Sequence, residues 1–408
     1  MTRSNTGRRL PHPRELAPLL RPKPITLNAT RRRLASAATL HDLRRIARRR
    51  TPRAVFDYTD GGADAELSMA RSRDAFSRVE FRPRALRDVA AVDTSTPILG
   101  TSSALPLALA PTGFTRMMQH EGERAVARAA ASAGVPYALS TMGTTAPEEL
   151  AAAAPAVRRW FQLYLWRERD RSAALIQRAA ESGFDTLVLT VDTPVGGPRL
   201  RDVRNGMTLP PSLTAKTFVD GALRPHWWLN LLTTDPLEFA ALDSWNGTVA
   251  ELASHMFDPT ATFDDIARLR QDWPGKLVVK GVQCAADAET AVNSGADAVV
   301  VSNHGGRQLD RAPVPLEELP SVAAAVSNRA EVLVDGGIMS GADAVAAICL
   351  GASAVLVGRA YLYGLMAGGQ RGVQRALDIL ATETRQTMQL LGTPTIADLT
   401  PDHVRLRP

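Results

Sequence analysis

The stretch 298–310, AVVVSNHGGRQLD, places a titratable imidazole, His304, a Gly305-Gly306 turn and a fixed cation, Arg307, within four residues. The run before it, Val299 to Val301, reads as a strand covered on both faces, because such strands are continuously apolar rather than alternating. A base and a cation where a core strand reaches solvent are placed for proton transfer, and the glycines let backbone approach a ligand closely. Arg199 and Arg307 are two guanidinium forks that, converging with Tyr58, would grip a carboxylate. Asp192 would be a buried acid that orients the His304 ring and stabilises its charged form. Lys280, at the tip of another apolar run, would stabilise negative charge on an electron-accepting ring system. Together these groups fit removal of a proton from a 2-hydroxy acid while two electrons leave its α-carbon.

Such residues are far apart in the chain, so the fold must bring them together. Short apolar runs at 105–111, 136–141, 160–165, 186–192, 276–280, 298–302, 331–335 and 354–358 predict eight strands. Helical patterns at 121–133, 171–182, 287–294, 316–326 and 341–350 alternate with them. That order predicts an α/β fold, a parallel (β/α)8 TIM barrel. An open doubly wound sheet is the other candidate, but no Gly-x-Gly-x-x-Gly follows the first strand. Every predicted strand ends in polar or glycine-bearing residues, as a barrel's catalytic rim requires. In order these are Pro111-Thr112-Gly113, Ser140, Gln162 with Tyr164, Thr190 with Asp192, Lys280, Ser302 with His304, Asp335-Gly336-Gly337, and Gly358-Arg359. The last two loops suit a phosphate: glycine-rich backbone N–H groups and a helix N-terminus face an anion, and Arg359 adds a cation.

Three additions surround the predicted barrel. Residues 1–38 form a basic Pro/Arg-rich arm, expected to be extended to about residue 35, and the barrel domain occupies 39–408. A helix opens near Leu40, with Leu40, Leu43, Ile46 and Ala47 on one face, as an N-terminal helical extension. An insertion at about 194–275 follows the fourth strand and carries His226, Trp227, Trp228, Leu229, Leu231 and Leu232. Its tryptophans suit either a membrane interface or packing onto the barrel. A closing helix ends the chain, with Val373, Leu377, Leu380, Met388 and Leu391 at helical spacing.

The net charge of +6 is uneven. Residues 1–53 hold 15 Lys/Arg against two acids, a balance of +13, which leaves −7 on the remainder. Such an arm favours an anionic surface. Nucleic acid is not the expected partner, because the arm has no aromatic residue before Phe56 to stack on bases. Cys284 and Cys349 have no pairing or metal-ligand spacing, so neither a disulfide framework nor a metal is expected. No run is long and apolar enough to span a membrane, and no signal-peptide pattern is present. The expected location is the cytoplasm, with peripheral attachment to the inner face of the cell membrane.

The motifs APTGF, WFQLYLW, LTVDTP, LVVKGV, SNHGGRQLD and VGRAYLYGL, in this order, resemble the FMN-dependent L-2-hydroxy acid oxidase and dehydrogenase family. The similarity runs from about Leu40 to the C-terminus and is strongest toward bacterial respiratory L-lactate dehydrogenases. It implies His304 as catalytic base with Asp192 as its partner. It also implies Tyr58, Arg199 and Arg307 on the substrate carboxylate, with Tyr164 near its hydroxyl. Implied flavin contacts are Pro111, Thr112, Gly113, Ser140, Gln162, Thr190, Lys280 and Ser302. Asp335, Gly336, Gly337, Ile338, Met339, Gly358 and Arg359 would form the phosphate-binding loops. Two positions depart from the family's pattern. Met339 stands where many members have Arg, and Gly113 where oxidases often have Ala; glycine there accompanies dehydrogenases that react slowly with oxygen. The resemblance implies oxidation of L-lactate or a close L-2-hydroxy acid to the 2-oxo acid (pyruvate from lactate). Electrons would pass to a quinone or other external carrier, and the assembly would be a homotetramer. An oxidase releasing hydrogen peroxide is the same-fold alternative.

Overall fold

The computed structural model describes residues 10–16, 27–206, 220–235, 237 and 256–407. Eight parallel strands form a closed barrel: β1 Leu107–Leu109, β2 Tyr137–Ser140, β3 Arg159–Leu163, β4 Thr186–Thr190, β5 Lys276–Val282, β6 Ala298–Val301, β7 Glu331–Asp335 and β8 Ala354–Val357. Each pairs with its sequence neighbours, and β8 returns to β1 with Val355 opposite Leu107. The outer helices include Gly122–Ala133, Arg169–Glu181, Phe263–Asp272, Ala285–Asn293, Pro315–Val326, Gly341–Cys349 and Gln370–Leu391. This is the (β/α)8 barrel that the alternating pattern predicts.

Period-two geometry sends alternate side chains of each strand into the barrel. Ala138, Trp160, Val188, Val278, Val300, Leu333 and Leu356 form one inward apolar cluster. Ile98 and Leu99 join it from a hairpin, held where Glu331 accepts from the Leu99 N–H at 3.0 Å. Two residues further along the same strands stand Ser140, Gln162, Thr190, Lys280, Ser302, Asp335 and Gly358. The polar positions are thus the next inward layer above an apolar plug. The strands fall within a residue or two of their expected ends. β5 runs two residues past Lys280, because Gly281 is inserted as a bulge between Lys280 and Val282. Its φ is +108°, and a Cβ there would sit 2.7 Å from Asp192 Cγ, so both conformation and space require glycine.

The N-terminal extension is more helical than its sequence suggests. Leu40–Arg50 forms as predicted, started by a capping box between Thr39 and Asp42. It buries Leu40 and Leu43 completely, which stabilises its docking by roughly 1.5–3 kcal/mol per side chain. Arg53–Asp60 is a helix carrying Phe56 and Tyr58, and Leu67–Ser77 is another. The expectation of an extended arm to about residue 35 is corrected at Ala29–Ala35. This short helix is capped by Asn28, buries Leu34 and donates from Arg33 to the Ala367 carbonyl at 3.2 Å. A single leucine among arginines leaves no periodicity to read. Arm residues 1–9 and 17–26 lie outside the described residues.

The insertion is shorter than predicted at its far end. Phe263–Asp272 is the outer helix that follows β4, opened by Thr262 and Asp265. Within the insertion, Leu200–Asn205 and Pro225–Leu232 are helical. The second carries the aromatic cluster. Trp227 donates its indole N–H to the Met117 carbonyl at 2.9 Å and packs against the core, while Leu229 and Leu232 are each 61% exposed. Positions 207–219, 236 and 238–255 of the predicted insertion lie outside the described residues. After β8, a short helix Arg359–Gly368 precedes the predicted closing helix Gln370–Leu391.

Candidate active site

A cavity of about 570 Å³ opens at the carboxyl ends of the strands. It collects the β1 loop (Pro111, Thr112, Gly113), Ser140, Gln162, Tyr164, Thr190, Lys280, the β7 loop from Asp335 to Met339, and Gly358 with Arg359. Tyr58, Arg199, His304 and Arg307 line the same space. Two predicted residues stand behind the wall. Asp192 is buried and faces His304. Ser302, expected as a flavin contact, is fully buried, and its hydroxyl accepts from Lys280 Nζ at 2.9 Å and from the His304 backbone N–H at 3.0 Å. The hydroxyl thus positions the Lys280 ammonium and the His304 turn.

His304 sits at the turn with φ +57°, and its Nδ1 lies 2.9 Å from Asp192 Oδ1. Asp192 occupies that ring nitrogen, leaving Nε2 for a ligand. Burial alone would push the Asp192 carboxyl up, but His304 and then Lys280 outweigh it and hold the carboxyl below its ordinary value. Lys280 pairs with Asp335 Oδ2 at 2.8 Å. Its burial works against the ammonium, yet Asp335 and Asp192 raise its pKa, so it remains charged.

The two arginines converge on Tyr58: each guanidinium carbon lies 5.1 Å from its ring centroid. Arg307 donates to the carbonyls of Tyr58 at 2.7 Å and Gly61 at 3.1 Å. Burial, and next the like charge of Arg199, push Arg307 down to about 10. Arg199 is offset by Asp202, whose Oδ2 is 3.2 Å from its Nε. Two half-buried cations facing one space, with Asp202 beside one of them, make an anion site. Tyr164 has its pKa raised, first by burial and then by Asp192 and Tyr58, so its phenol keeps its proton. Arg359 spends three donors on carbonyls, those of Thr59, Gly305 and Gly61, at 2.7 to 3.0 Å. It ties the loop bearing His304 to the helix bearing Tyr58 while still lining the cavity.

Several wall residues carry no signal in the sequence. Met118, Met142, Met256 and Phe257 are apolar residues in loops or short helices, where periodicity says nothing about direction. Phe257 meets Tyr164 edge-on, with centroids 5.2 Å apart. Arg73, from the helix Leu67–Ser77, reaches the Gly337 carbonyl at 2.5 Å and pairs with Asp343. Its RSRD context reads only as a solvated helix face.

Residues 47–406 match the family described as FMN-dependent dehydrogenase. The chain belongs to that family. It is 58% identical over 398 residues to the "Putative L-lactate dehydrogenase" of Mycobacterium tuberculosis, covering 98% of this chain and 96% of that protein. It is 44% identical to 4-hydroxymandelate oxidase of Amycolatopsis orientalis, over 87% of this chain and 94% of that one. Among solved structures, the monotopic membrane protein (S)-mandelate dehydrogenase superposes with a TM-score of 0.88 at 37% identity. That match covers 91% of this chain and all of that one.

The FMN-dependent dehydrogenase cavity fits its cofactor on its own chemistry. Gln162 Oε1 accepts from Ser140 Oγ at 2.9 Å, which turns the amide so that Nε2 is a donor; Nε2 and the Thr190 hydroxyl are buried without partners in this structure. Unpaired buried polar atoms are costly unless a ligand meets them. Gly336 and Gly337, at φ +95° and +83°, bare their backbone at the end where a phosphate belongs. The chain is an FMN-dependent oxidoreductase of 2-hydroxy acids.

Proposed function

We propose that this enzyme oxidises L-lactate, or a close short L-2-hydroxy acid, to the 2-oxo acid, and hands the electrons to a quinone or other external carrier. The observation that carries the reading is the His304–Asp192 pair opening onto the same space as Arg199, Arg307 and Tyr58. The arginines fix the carboxylate. His304 Nε2 takes the proton of the 2-hydroxyl, and Asp192 stabilises the imidazolium that results. The Tyr164 phenol, kept protonated, donates toward the substrate oxygen. Bound FMN supplies the two-electron sink for the hydrogen on the α-carbon. Lys280 and the unpaired donor of Gln162 would hold its ring, and the backbone of Gly336 and Gly337 with Arg359 its phosphate. Met339 brings no cation to that end, so its part is limited to main chain.

Lactate is favoured by the 58% relative and by the Phe257–Tyr164 wall, which narrows the space beside the phenol. An external carrier is favoured by Gly113, whose loop packs so closely that a Cβ would lie 2.8 Å from Met142 Cβ. Attachment to the face of a membrane, with the protein otherwise cytoplasmic, is supported by the basic arm, by exposed Leu229 and Leu232, and by the monotopic neighbour. Among the described residues no helix is long and apolar enough to cross a membrane. A homotetramer is the assembly we infer.

The test is anaerobic bleaching of the purified yellow protein by a panel of 2-hydroxy acids, followed by reoxidation with oxygen or a quinone analogue. L-Lactate should bleach it fastest, and a His304→Ala variant should bleach far more slowly. Oxygen turnover equal to the quinone rate would instead make the protein an oxidase that releases hydrogen peroxide.

A further inference from the structure

A second cavity, of about 520 Å³, lies outside the active site, with Met118 standing in the wall of both. Its lining is strongly cationic. Arg33 comes from the helix Ala29–Ala35, Arg50 from the end of Leu40–Arg50, and Arg371 from the start of Gln370–Leu391. Arg116, which donates to the Asp235 carbonyl at 2.6 Å, also lines the space, as do His120, whose pKa burial lowers, and His226 from the insertion helix Pro225–Leu232. Among the described residues one acid lines the space, Glu121, and its Oε2 already accepts the Gln370 backbone N–H at 2.7 Å. Arg33 is pushed below its ordinary pKa by burial and next by the like charge of Arg50. Like charges gathered in one recess raise the free energy of the fold unless a counter-charge enters.

The insertion helix that lines this recess also carries exposed apolar residues on its other side. The helix that places His226 in its wall exposes Leu229 and Leu232, and Leu223 just before it is also exposed. Guanidinium forks match phosphate oxygens, and the hydrocarbon of a surface of such phosphates suits the exposed leucines of the adjoining helix. Sequence-distant segments build the site together: the folded part of the basic arm, the insertion and the closing helix. Arg33 ties the folded part of the arm to the helix Arg359–Gly368 through the Ala367 carbonyl.

We propose that this recess is a binding site for a phosphate group, and that its occupant is the headgroup of an anionic phospholipid. The inference rests on the membrane reading above and names its recognition element. Docking there would seat Leu229 and Leu232 in the acyl boundary and present the carboxyl face of the barrel close to a lipid-borne electron acceptor.

The test uses the FMN-loaded full chain, flotation with phosphatidylglycerol or phosphatidylcholine vesicles, and calorimetric titration with inorganic phosphate. Two variants are compared, Arg50→Gln/Arg371→Gln and Leu229→Ser/Leu232→Ser. Neither touches the active site, so lactate bleaching should be unchanged and report a folded protein. The parent should float with phosphatidylglycerol only, and losing both arginines should weaken that binding by roughly tenfold or more. Equal binding by parent and arginine variant overturns the proposed site; if the leucine variant then fails to float, membrane attachment survives without it. Arginine-dependent phosphate binding without flotation keeps the site, assigns it to a soluble phosphate ester and removes the membrane. A parent that binds neither vesicles nor phosphate overturns both.

Discussion

Asp192 and His304 meet across the rim at 2.9 Å only because position 281 has no side chain: a Cβ there would lie 2.7 Å from Asp192 Cγ. The β5 bulge and the catalytic pair are therefore one construction. Asp192→Asn should leave FMN content intact and lower the rate of flavin bleaching by roughly 10²- to 10⁴-fold, since amide replacement removes the charge that supports the imidazolium. Gly281→Ala should produce a similar loss by displacing an unaltered aspartate. Stopped-flow bleaching of both variants checks the pair, and a Gly281→Ala enzyme at the parent rate would separate bulge from catalysis.

The same carboxylate gives a pH dependence of stability. Burial raises the Asp192 pKa, but His304 and Lys280 more than offset it, so the folded value is depressed. A depressed carboxyl contributes stability that is present above the unfolded value, about 3.9, and is lost as pH falls through the folded one. The Tm difference between parent and Asp192→Asn should therefore be widest near neutrality and shrink below about pH 4. A constant difference from pH 3 to 8 would show that the charge adds nothing to the fold.

Arg199 and Arg307 face one anion site but are not equivalent. Arg307 also holds the Tyr58 and Gly61 carbonyls, whereas Arg199 has Asp202 beside it. Arg199→Met should raise the KM for lactate by roughly 10²-fold or more with little change in Tm, the loss expected for one charge-assisted pair. Arg307→Met should raise KM comparably and also lower Tm by several degrees, because the buried Tyr58 carbonyl loses its donor, while the Gly61 carbonyl keeps Arg359. Steady-state kinetics and thermal melts on the two single variants distinguish the roles.

What was legible in the sequence, and what was not, follows from which forces are local. Continuous apolar runs ending in polar residues reveal barrel strands, and the period of two carries Val188 to Thr190 and Leu333 to Asp335 as successive inward positions. That rule places most of the cavity floor before any coordinates are seen. It does not show that the Ser302 hydroxyl is held by Lys280 and by the His304 backbone N–H, because those contacts depend on the turn after the strand. Nor can it reveal Arg359 as a tie between loops, since its carbonyl partners at Thr59 and Gly61 are some 300 residues away. Phe257 carries no signal for the same reason: its neighbour Tyr164 lies just past the end of β3, far away in the chain, and the insertion sequence before Phe257 has no period.

Gly113 offers a test of acceptor choice that does not depend on similarity alone. A Cβ at this position would stand 2.8 Å from Met142 Cβ and 3.3 Å from its carbonyl oxygen. Gly113→Ala should thus shift the β1 loop against the cavity and destabilise the protein by roughly 1–3 kcal/mol through overpacking. Met142→Ala keeps the Cβ and so leaves the close contact in place, whereas Met142→Gly removes it and should restore Tm in the Gly113→Ala background. The ratio of oxygen to quinone turnover, measured in all three proteins, should rise with alanine at 113 and fall back only if the loop, and not the methyl itself, controls access of oxygen.

Phe257 should set the size of the substrate's side chain. Its ring closes edge-on against Tyr164 and lines the cavity together with Met256 and Met142. Phe257→Ala would remove that wall while leaving His304, Asp192 and both arginines in place. For lactate, whose methyl is small, kcat/KM should fall only severalfold. For mandelate the vacated volume can receive a phenyl group, and kcat/KM should rise by roughly 10- to 200-fold, the range available to an apolar pocket. Competition between the two acids, read by 2-oxo acid product, checks this directly: an unchanged preference would place the substrate's side chain against some other wall and leave Phe257 as support for the Tyr164 phenol alone.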